Sequence, residues 1–580
     1  MRAKQPDNQL IRGSFVRMLF VNMFVLMTMN ICGFVDNLVI SHRLGPEALA
    51  ATGFFSPIST GIGMFNMIVI GAQILIGNYI GAGKKARIDT LFFSSFLVLG
   101  AAYTLFGAAG MIFSDGLATL LGARGETHTL LCEYMLGYFP GIPLQALSSL
   151  LMAFVSFNND IRRSYLAAGV MSIGNLAGDL LLAGTGIVGI GLATTASYAA
   201  GFLILLPGYL KKDRTVHFAR VRPDLRQVGE AIRRGLPVLL FTLGLVAKNM
   251  LMNAALSGAR GDTGIAVANV LFSGCGIVGI FAGGCSSAYS TLAGICYGEQ
   301  DREGFRNLFR IAARIGIGVG TLIVIVIMCA SSLLAGLFFR PEFSGLAEAR
   351  SMFLLGYTFL PVNILMNLLM STYQAQGKMR LVNILSVAET AMIGLFVFLT
   401  VPAFGLNAAW LGNTVVDLLC LGVIIAAAMI AKRTASLRTD TLLRLDKDFG
   451  ATPENCMEYT LRSGDGICEA SKAIVSFCGE RDIDRRTSMF AGLCVEEMAR
   501  NIFQHGHREK DICVEIRTVA RDGLTIRIRD NCIAFDPRKR LEQHHPEEPG
   551  KNIGIRLTAS IAKQIDYYNN AGVNTLIIKM

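Results

Sequence analysis

The stretch GYFPGIPLQALSSLLMAFVS at residues 137–156 returns at residues 356–375 as GYTFLPVNILMNLLMSTYQA. Both copies open on Gly-Tyr, carry proline soon after, and continue as an apolar run. Working outward, TGIVGIGLATTAS (185–197) is echoed by VPAFGLNAAWLGN (401–413), and LIGNYIGAGKKARID (75–89) by LAGICYGEQDREGFR (292–306). The offsets agree at about 216–219 residues. One unit has been duplicated in the same order, and the chain then continues into something different.

Crossing a hydrocarbon layer about 30 Å thick takes about 20 apolar residues in a helix. Six stretches of that kind fall in the first copy, at about 14–39, 49–80, 91–113, 131–157, 164–183 and 187–209. Six more fall in the second, at about 235–257, 264–296, 311–338, 351–373, 381–401 and 405–431. The first is too long, and too lacking in a cleavage site, for a removable signal peptide. An even number of spans per copy makes the copies parallel, as in transporters that rock two bundles about a central site. The sequence thus predicts an all-α polytopic membrane protein of 12 transmembrane helices in two parallel six-helix repeats, 1–219 and 220–435. A duplicated channel or receptor would share this outline.

Of the 580 residues, 52% are hydrophobic and 16% charged, with a net charge of +11. Soluble domains carry about 25% charged residues, and neither a disordered nor a fibrous chain fits this composition. Residues 1–435 hold 31 Lys/Arg against 20 Asp/Glu, and residues 436–580 hold 22 of each. The excess sits on alternate loops. One side carries Arg2, Lys4, Arg12 and Arg17, then Lys84, Lys85 and Arg87, then Arg162 and Arg163, then the run from Lys211 to Arg234. The same side continues with Arg302, Arg306 and Arg310, then Lys378 and Arg380, then Lys432 and Arg433. The other side has only Arg43, Arg124, Arg260, Arg340 and Arg350. Cytoplasmic loops are the Lys- and Arg-rich ones, so both termini are expected in the cytoplasm and the spans in the cell (inner) membrane. The basic balance reports topology and implies no nucleic acid.

Ionisable groups inside spans are costly and mark function. Asp36 lies in the first span (GFVDNLVISHRLG) and Asp179 in the fifth (GNLAGDLLLAG), with Asn175 one turn earlier on the same helix face. Lys248, Glu389 and Asp417 lie in the seventh, eleventh and twelfth spans. Groups near helix ends can instead snorkel to the interface, Asp36 above all. FVDNLVISHRLGPEALAATGFFSPI (34–58), the Asn175/Asp179 pair and GIVGIGLATTAS (186–197) together resemble the multidrug and toxic compound extrusion (MATE) transporters over about 1–435. The resemblance implies exchange of Na+ or H+ for organic, often cationic, small molecules. Carboxylates of the N-terminal bundle carry that exchange in some members, and Asp36 and Asp179, accompanied by Asn175, stand where they stand. Lys248 departs from the family pattern, and a lipid-linked precursor flippase of the wider superfamily stays open beside the antiporter.

After Arg433 the apolar runs stop, and residues 436–580 are enough for one domain. A strand (454–463), a helix (466–479) and a second helix (485–506) are followed by two alternating strands, 511–521 and 523–531. Asp522-Gly523 supplies their hairpin turn. A Pro-, His- and Glu-rich loop (541–550) leads to a last helix (553–567) and a closing strand, NTLIIKM. The expectation is an α+β sandwich, helices on one antiparallel sheet.

Within EEMARNIFQHG, Glu497, Asn501 and His505 recur every fourth residue and share one helix face. That helix, the strand ending at Asp530 and the glycine loop before the last helix resemble Bergerat-fold ATP-binding domains, most of all the anti-sigma-factor serine kinases. The resemblance implies ATP with Mg2+. Asn501 would hold the Mg2+ beside His505, Glu497 would act as base, and Asp530 would accept from the adenine amino group. Gly550, Lys551 and Gly554 would line the phosphates. The family's Asp-x-Gly-x-Gly segment reads Asp530-Asn531-Cys532-Ile533-Ala534 here, both glycines replaced, which would strain a left-handed backbone.

The 13 cysteines include no CxxC pair and suggest no metal site, and the six in the tail are expected as reduced thiols. His544-His545 has the chemistry of a metal ligand pair, but a flexible lid is the preferred reading. No GxxxxGK[ST] motor loop occurs. The reading is therefore a cation-coupled antiporter whose tail binds nucleotide, with a protein partner of the tail open. The alternative is a transporter-shaped receptor that controls an anti-sigma-type serine kinase.

Overall fold

The computed structural model describes residues 9–211, 214–339, 345–433, 436, 438–446, 448–506, 512–521, 523–538, 553–570 and 572–580. Among the described residues eleven helices are long and apolar enough to cross a membrane, and one bent pair raises the number to 12. The first half comprises α1 (Gln9–Arg43), α2 (Pro46–Met64), α3 (Asn66–Gly81), α4 (Lys85–Ile112), α5 (Ser114–Leu120), α6 (Glu126–Tyr138), α7 (Ile142–Phe154), α8 (Ile161–Leu182) and α9 (Ile187–Leu205). The second comprises α10 (Leu225–Gly298), α11 (Arg302–Cys329), α12 (Ser331–Phe338), α13 (Leu346–Leu355), α14 (Leu360–Ala375), α15 (Met379–Phe404) and α16 (Leu406–Lys432).

The duplicated Gly-Tyr segment breaks its helix in both halves. Pro140 lies in a single 3-10 turn between α6 and α7, and Pro361 opens α14 at 44° to α13. A proline has no N–H to give the preceding turn, so the same device interrupts the α-helix in both halves, as a 3-10 turn in the first and as a 44° bend in the second. The seventh and eighth stretches differ from expectation, because helical turns continue from one into the other and both fall in α10. It contains two candidate spans, Leu225–Arg260 and Val270–Gly298. A Cβ on Gly264 would lie 2.8 Å from the Leu256 carbonyl oxygen. Eight residues of straight helix would separate these by about 12 Å, so the chain doubles back between the spans.

The halves meet along a seam of small residues between α3 and α10. A Cβ on Gly81 would lie 2.7 Å from the Glu299 nitrogen, and one on Gly298 would lie 2.8 Å from the Asn78 carbonyl carbon. Near the other end of α3, Gly71 faces the Ala231 carbonyl and Gly235 faces Met67. Gln73 Nε2 donates to Thr291 Oγ1 across the seam at 2.7 Å.

A short helix, α17 (Thr439–Leu443), and the segment to residue 450 lie against the second half. Tyr373 donates to the Leu442 carbonyl and Gln376 to that of Leu443, each at 2.7 Å, and Phe449 stacks on Tyr297 at 4.8 Å. The tail then forms β1 (Cys456–Leu461), α18 (Ile467–Gly479), α19 (Arg485–His505), β2 (Val514–Ala520), β3 (Leu524–Asp530), α20 (Ile553–Ile561), β4 (Gln564–Asn570) and β5 (Val573–Lys579). The sheet is antiparallel in the order β1-β2-β3-β5-β4.

One element corrects the sequence reading. The last helix stops at Ile561, and residues 564–570 form an edge strand instead of continuing it to 567. Ile565, Tyr567 and Asn569 alternate with Asp566 and Tyr568, and Gly572, at φ +77°, permits the tight turn into β5. Asp522, of the expected hairpin turn, lies outside the described residues. Its neighbour Gly523 has φ +108°.

One face of this sheet is covered by α18, α19 and α20, with Val514, Ile516, Ile526, Ile528 and Ile578 in the core. The opposite face carries Glu458, Arg517 and Arg527 in one cross-strand row, and Glu515 and Arg529 in the next. Such alternation ordinarily marks a solvated face. Here it is covered by the transporter half.

Candidate functional sites

The first site is assembled by α1, α6, α8 and α9. Asn175 and Asp179 sit one turn apart on α8 and are 3% and 0% exposed. Asn175 Nδ2 donates to Thr194 Oγ1 of α9 at 3.3 Å, and that hydroxyl donates to the Ile190 carbonyl. Asp36 of α1 brings its carboxyl group within hydrogen-bonding reach of Asp179. Among the described residues no donor reaches either oxygen of Asp179, or Oδ1 of Asp36. Tyr134, Tyr138 and Tyr198 wall the pair, with the Tyr134 and Tyr138 rings 5.6 Å apart. The two aspartates and Asn175 are the residues expected from the sequence. The tyrosines are not, since they carry no periodic signal of their own.

A second polar cluster lies in the other half. Lys248 of α10 faces Glu389 of α15 and Asp417 of α16. Asn363 of α14 joins them, donating to Glu389 Oε1 at 3.1 Å and Asp417 Oδ2 at 3.2 Å. Gly394 lets α15 approach close to the Lys248 backbone. The three charges stand out separately in the sequence, but Asn363, the residue that ties two of them together, does not.

In the tail, Glu497 and Asn501 are half-buried on α19, while His505 is exposed. Glu497 accepts from Arg500 at 3.3 Å. Asp530, buried at the end of β3, accepts at Oδ1 from the Cys532 nitrogen (2.8 Å) and from Asn574 Nδ2 (2.7 Å). Asn574 in turn accepts from Tyr567, whose hydroxyl accepts from the Phe535 nitrogen at 3.0 Å. This network shapes the 531–535 loop, and nothing in the sequence singles out Asn574 or Tyr567. A Cβ on Gly506 would meet the Cys532 sulfur at 2.7 Å, so the end of α19 abuts the loop after Asp530.

Neither Cys532 nor Ala534 has a positive φ, so the strain expected from replacing two glycines does not arise. Gly550 and Lys551 lie outside the described residues, as does His544-His545, and Gly554 sits in the first turn of α20. The six tail cysteines are free thiols. Away from these sites, Asp115, His128 and Cys132 hold ligand-type atoms within 4.8 Å of one another, a grouping the absence of CxxC pairs gave no hint of.

Between tail and transporter lies a buried ionic cluster. Glu299 and Asp301, in the loop from α10 to α11, are each 2% exposed at the side chain. Arg527 bridges to Glu299 at 2.6 Å and to Asp301 at 2.7 Å, Arg517 reaches Asp301 at 3.0 Å, and Arg529 pairs with Glu299. Tyr568 also donates to Glu299. The guanidinium groups hold Glu299 and Asp301 below the ordinary carboxylate range despite their burial. Burial has the opposite result at Glu515, whose carboxyl is pushed from 4.5 up to about 7.

Glu515 thus favours the folded, docked state while protonated. That contribution is fully present below its unfolded value of about 4.5 and is lost as pH rises through about 7. Glu515→Gln is expected to remove this loss, raising stability at pH 8 relative to the parent by on the order of 2 kcal/mol. Thermal unfolding at pH 5 and pH 8 measures it, and an unchanged pH dependence would contradict the assignment.

Two bundles packed along one seam, each with a buried polar cluster, define the architecture of a two-bundle membrane transporter with an appended ATPase-type domain. Residues 22–181 and 237–400 match the MatE family, and residues 468–580 match the histidine kinase-like ATPase domain. The chain belongs to the MatE family. The multidrug export protein MepA of Staphylococcus aureus (strain NCTC 8325 / PS 47) is 26% identical over 420 residues, covering 67% of this chain and 85% of the relative. The protein of the same name from Staphylococcus saprophyticus is 24% identical over 381 residues, covering 62% and 80%.

Among solved structures, a multidrug resistance MATE family transporter in an outward-facing conformation superposes with a TM-score of 0.67 at 23% identity, over 77% of this chain and 100% of its own. The Vibrio cholerae MATE transporter VcmN, in a mutant form, gives 0.69 at 19% identity, over 76% and 100%. A Pyrococcus furiosus transporter of the MOP superfamily, described as having a binding pocket of reversed polarity, gives 0.66 at 23%, over 73% and 97%. These matches establish the fold, a multi-pass membrane protein of the MATE type.

Proposed function

We propose that this protein exports organic, chiefly cationic, small molecules in exchange for Na+ or H+, and that its tail binds ATP with Mg2+ as a regulatory ligand. The carrying observation is the Asp36–Asp179 pair, two carboxyl groups within reach of each other, Asp179 buried and Asp36 half-buried. Both cannot stay ionised there unaided, because taking a charge out of water is costly and like charges at close range repel. The pair must share a proton or hold a cation. An arriving cationic substrate competes for the same charge, and its entry releases the ion, which is antiport. The sequence likeness to multidrug export proteins supports this substrate class.

The bundles are assigned to residues 1–219 and 220–435, and the tail to residues 436–580. The Lys- and Arg-rich loops put both termini, and hence the tail, in the cytoplasm. Nucleotide would meet Asp530 at its adenine amino group, with Asn501 and His505 toward Mg2+ and Glu497 beside them as base. Gly550, Lys551 and Gly554 are assigned to the phosphates. Such a group supplies charge and binding energy to the tail. It supplies no motor step, since the ion gradient does the work.

Full-length protein in detergent is expected to bind a fluorescent ATP analogue, and Asp530→Ala to weaken that binding about tenfold or more, the worth of a charge-assisted hydrogen bond of roughly 1.5–3 kcal/mol. Equal binding by both would remove Asp530 from the site. Because the tail is docked on the transporter, a receptor reading also has support. Substrate binding without any transport in a vesicle efflux assay would favour it. The flippase reading loses its one hint, as the charge of Lys248 is already offset by Glu389 and Asp417.

A further inference from the structure

We infer that the tail is a clasp that holds the two bundles together on its own side, and that its sheet must leave one bundle before that side can open. The sheet touches both halves. Its arginine face grips the second half through the buried Glu299 and Asp301, and the 439–450 segment is fastened to the same half. Its β4–β5 edge lies on the first half. Asp566 Oδ2 would be 2.7 Å from a Cβ on Gly83, in the α3–α4 connection, and β4 packs against the 155–158 turn, while Tyr568 and Ile577 join a hydrophobic cluster that is mostly first-half but includes Ile295 of the second. Gly572, in the β4–β5 turn, abuts Arg17 of α1.

These contacts straddle the point where the halves meet. Gly81 of the first half touches the Glu299 backbone of the second, two residues from Gly83 and within the loop the arginines hold. Rocking the bundles apart here would pull Gly83 and Glu299 in opposite directions, while a single rigid five-stranded sheet is attached to both. Packed sheets and interfaces are bistable rather than stretchable, so one attachment has to release. The second half holds the tail by more attachments: Arg517, Arg527 and Arg529 on Glu299 and Asp301, the Tyr568 hydroxyl on Glu299, and the helix α17 fastened through Tyr373 and Gln376. The β4–β5 edge is therefore the part that lets go in the working cycle.

The clasp works alike whichever ion or substrate is carried. It is tested by electron paramagnetic resonance distances between spin labels at Arg87 of α4 and Arg380 of α15, in full-length protein lacking its other exposed cysteines. The parent is expected to give one short distance. Glu299→Gln with Asp301→Asn should release the tail and add a longer distance component. Arg527→Ala with Arg529→Ala should do the same while leaving the transporter sequence untouched, so a folding defect in one variant does not obscure the other. Tail release is read separately, as cleavage between residues 436 and 450 by added protease, expected about tenfold faster in both variants. Faster cleavage with the short distance unchanged in both would overturn the clasp. Unchanged cleavage in both would overturn Glu299 and Asp301 as its grip.

Discussion

Asp179→Asn is expected to cut ion-driven export by about tenfold or more while leaving the protein folded. In the proposed antiport the pair formed with Asp36 serves by exchanging what neutralises it. An amide is permanently neutral, holds no exchangeable proton and is a poor ligand for a lone cation. With an amide at position 179, Asp36 no longer faces a like charge, and the two sites stop competing for one ion. A ligand shifts a conformational equilibrium only by its differential affinity for the two states, and a tenfold difference is worth about 1.4 kcal/mol. Stability should change little, because no donor among the described residues bonds the Asp179 oxygens to begin with. Asp36→Asn is expected to act in the same direction. Gradient-driven efflux at parental rates in both variants would remove the pair from the mechanism.

Gly81→Leu is expected to drive the transporter out of its packed conformation. Even the Cβ of the new side chain would lie 2.7 Å from the Glu299 nitrogen, closer than side-chain carbons come to backbone. The neighbour is main chain at the end of α10, so it cannot swing aside, and the helices must part by about 1 Å or more. Overpacking of this kind costs roughly 1–3 kcal/mol, enough to shift a two-state population about five- to 150-fold. Gly71, against the Ala231 carbonyl, and Gly235, against Met67, impose the same limit near the other end of α3. Spin-label distances across the seam check this. The parental short distance in Gly81→Leu would mean the seam tolerates bulk and does not set the resting state.

Much of the transporter is legible in the sequence because membrane physics writes it plainly. Apolar length, loop charge and the returning Gly-Tyr segment suffice for the bundles, and intramembrane charge suffices to single out Asp36 and Asp179. What stays hidden is whatever depends on distant chain. Asn363 looks like any polar residue in an apolar span until Glu389 and Asp417 fold beside it. Residues 564–567 continue a plausible helical run from Ile553, and only pairing with β5 makes them a strand. Arg517, Arg527 and Arg529 alternate as a solvated face should, and nothing local says that Glu299 and Asp301, more than two hundred residues away, will cover them. The tail residues proposed to meet nucleotide are legible as a motif, but Asn574, which holds Asp530, is not, since it lies on the closing strand outside that motif.

Whether the carboxyl pair carries the exchange is tested most directly by efflux of an organic cation from vesicles containing the full-length protein. Na+ and pH gradients are imposed separately, with ATP supplied or withheld. The expected result is transport whenever the correct gradient is present, none with ATP alone, and collapse of the gradient-driven rate in Asp179→Asn. Transport driven by ATP without any gradient, or gradient-driven transport that ignores Asp179, would contradict it.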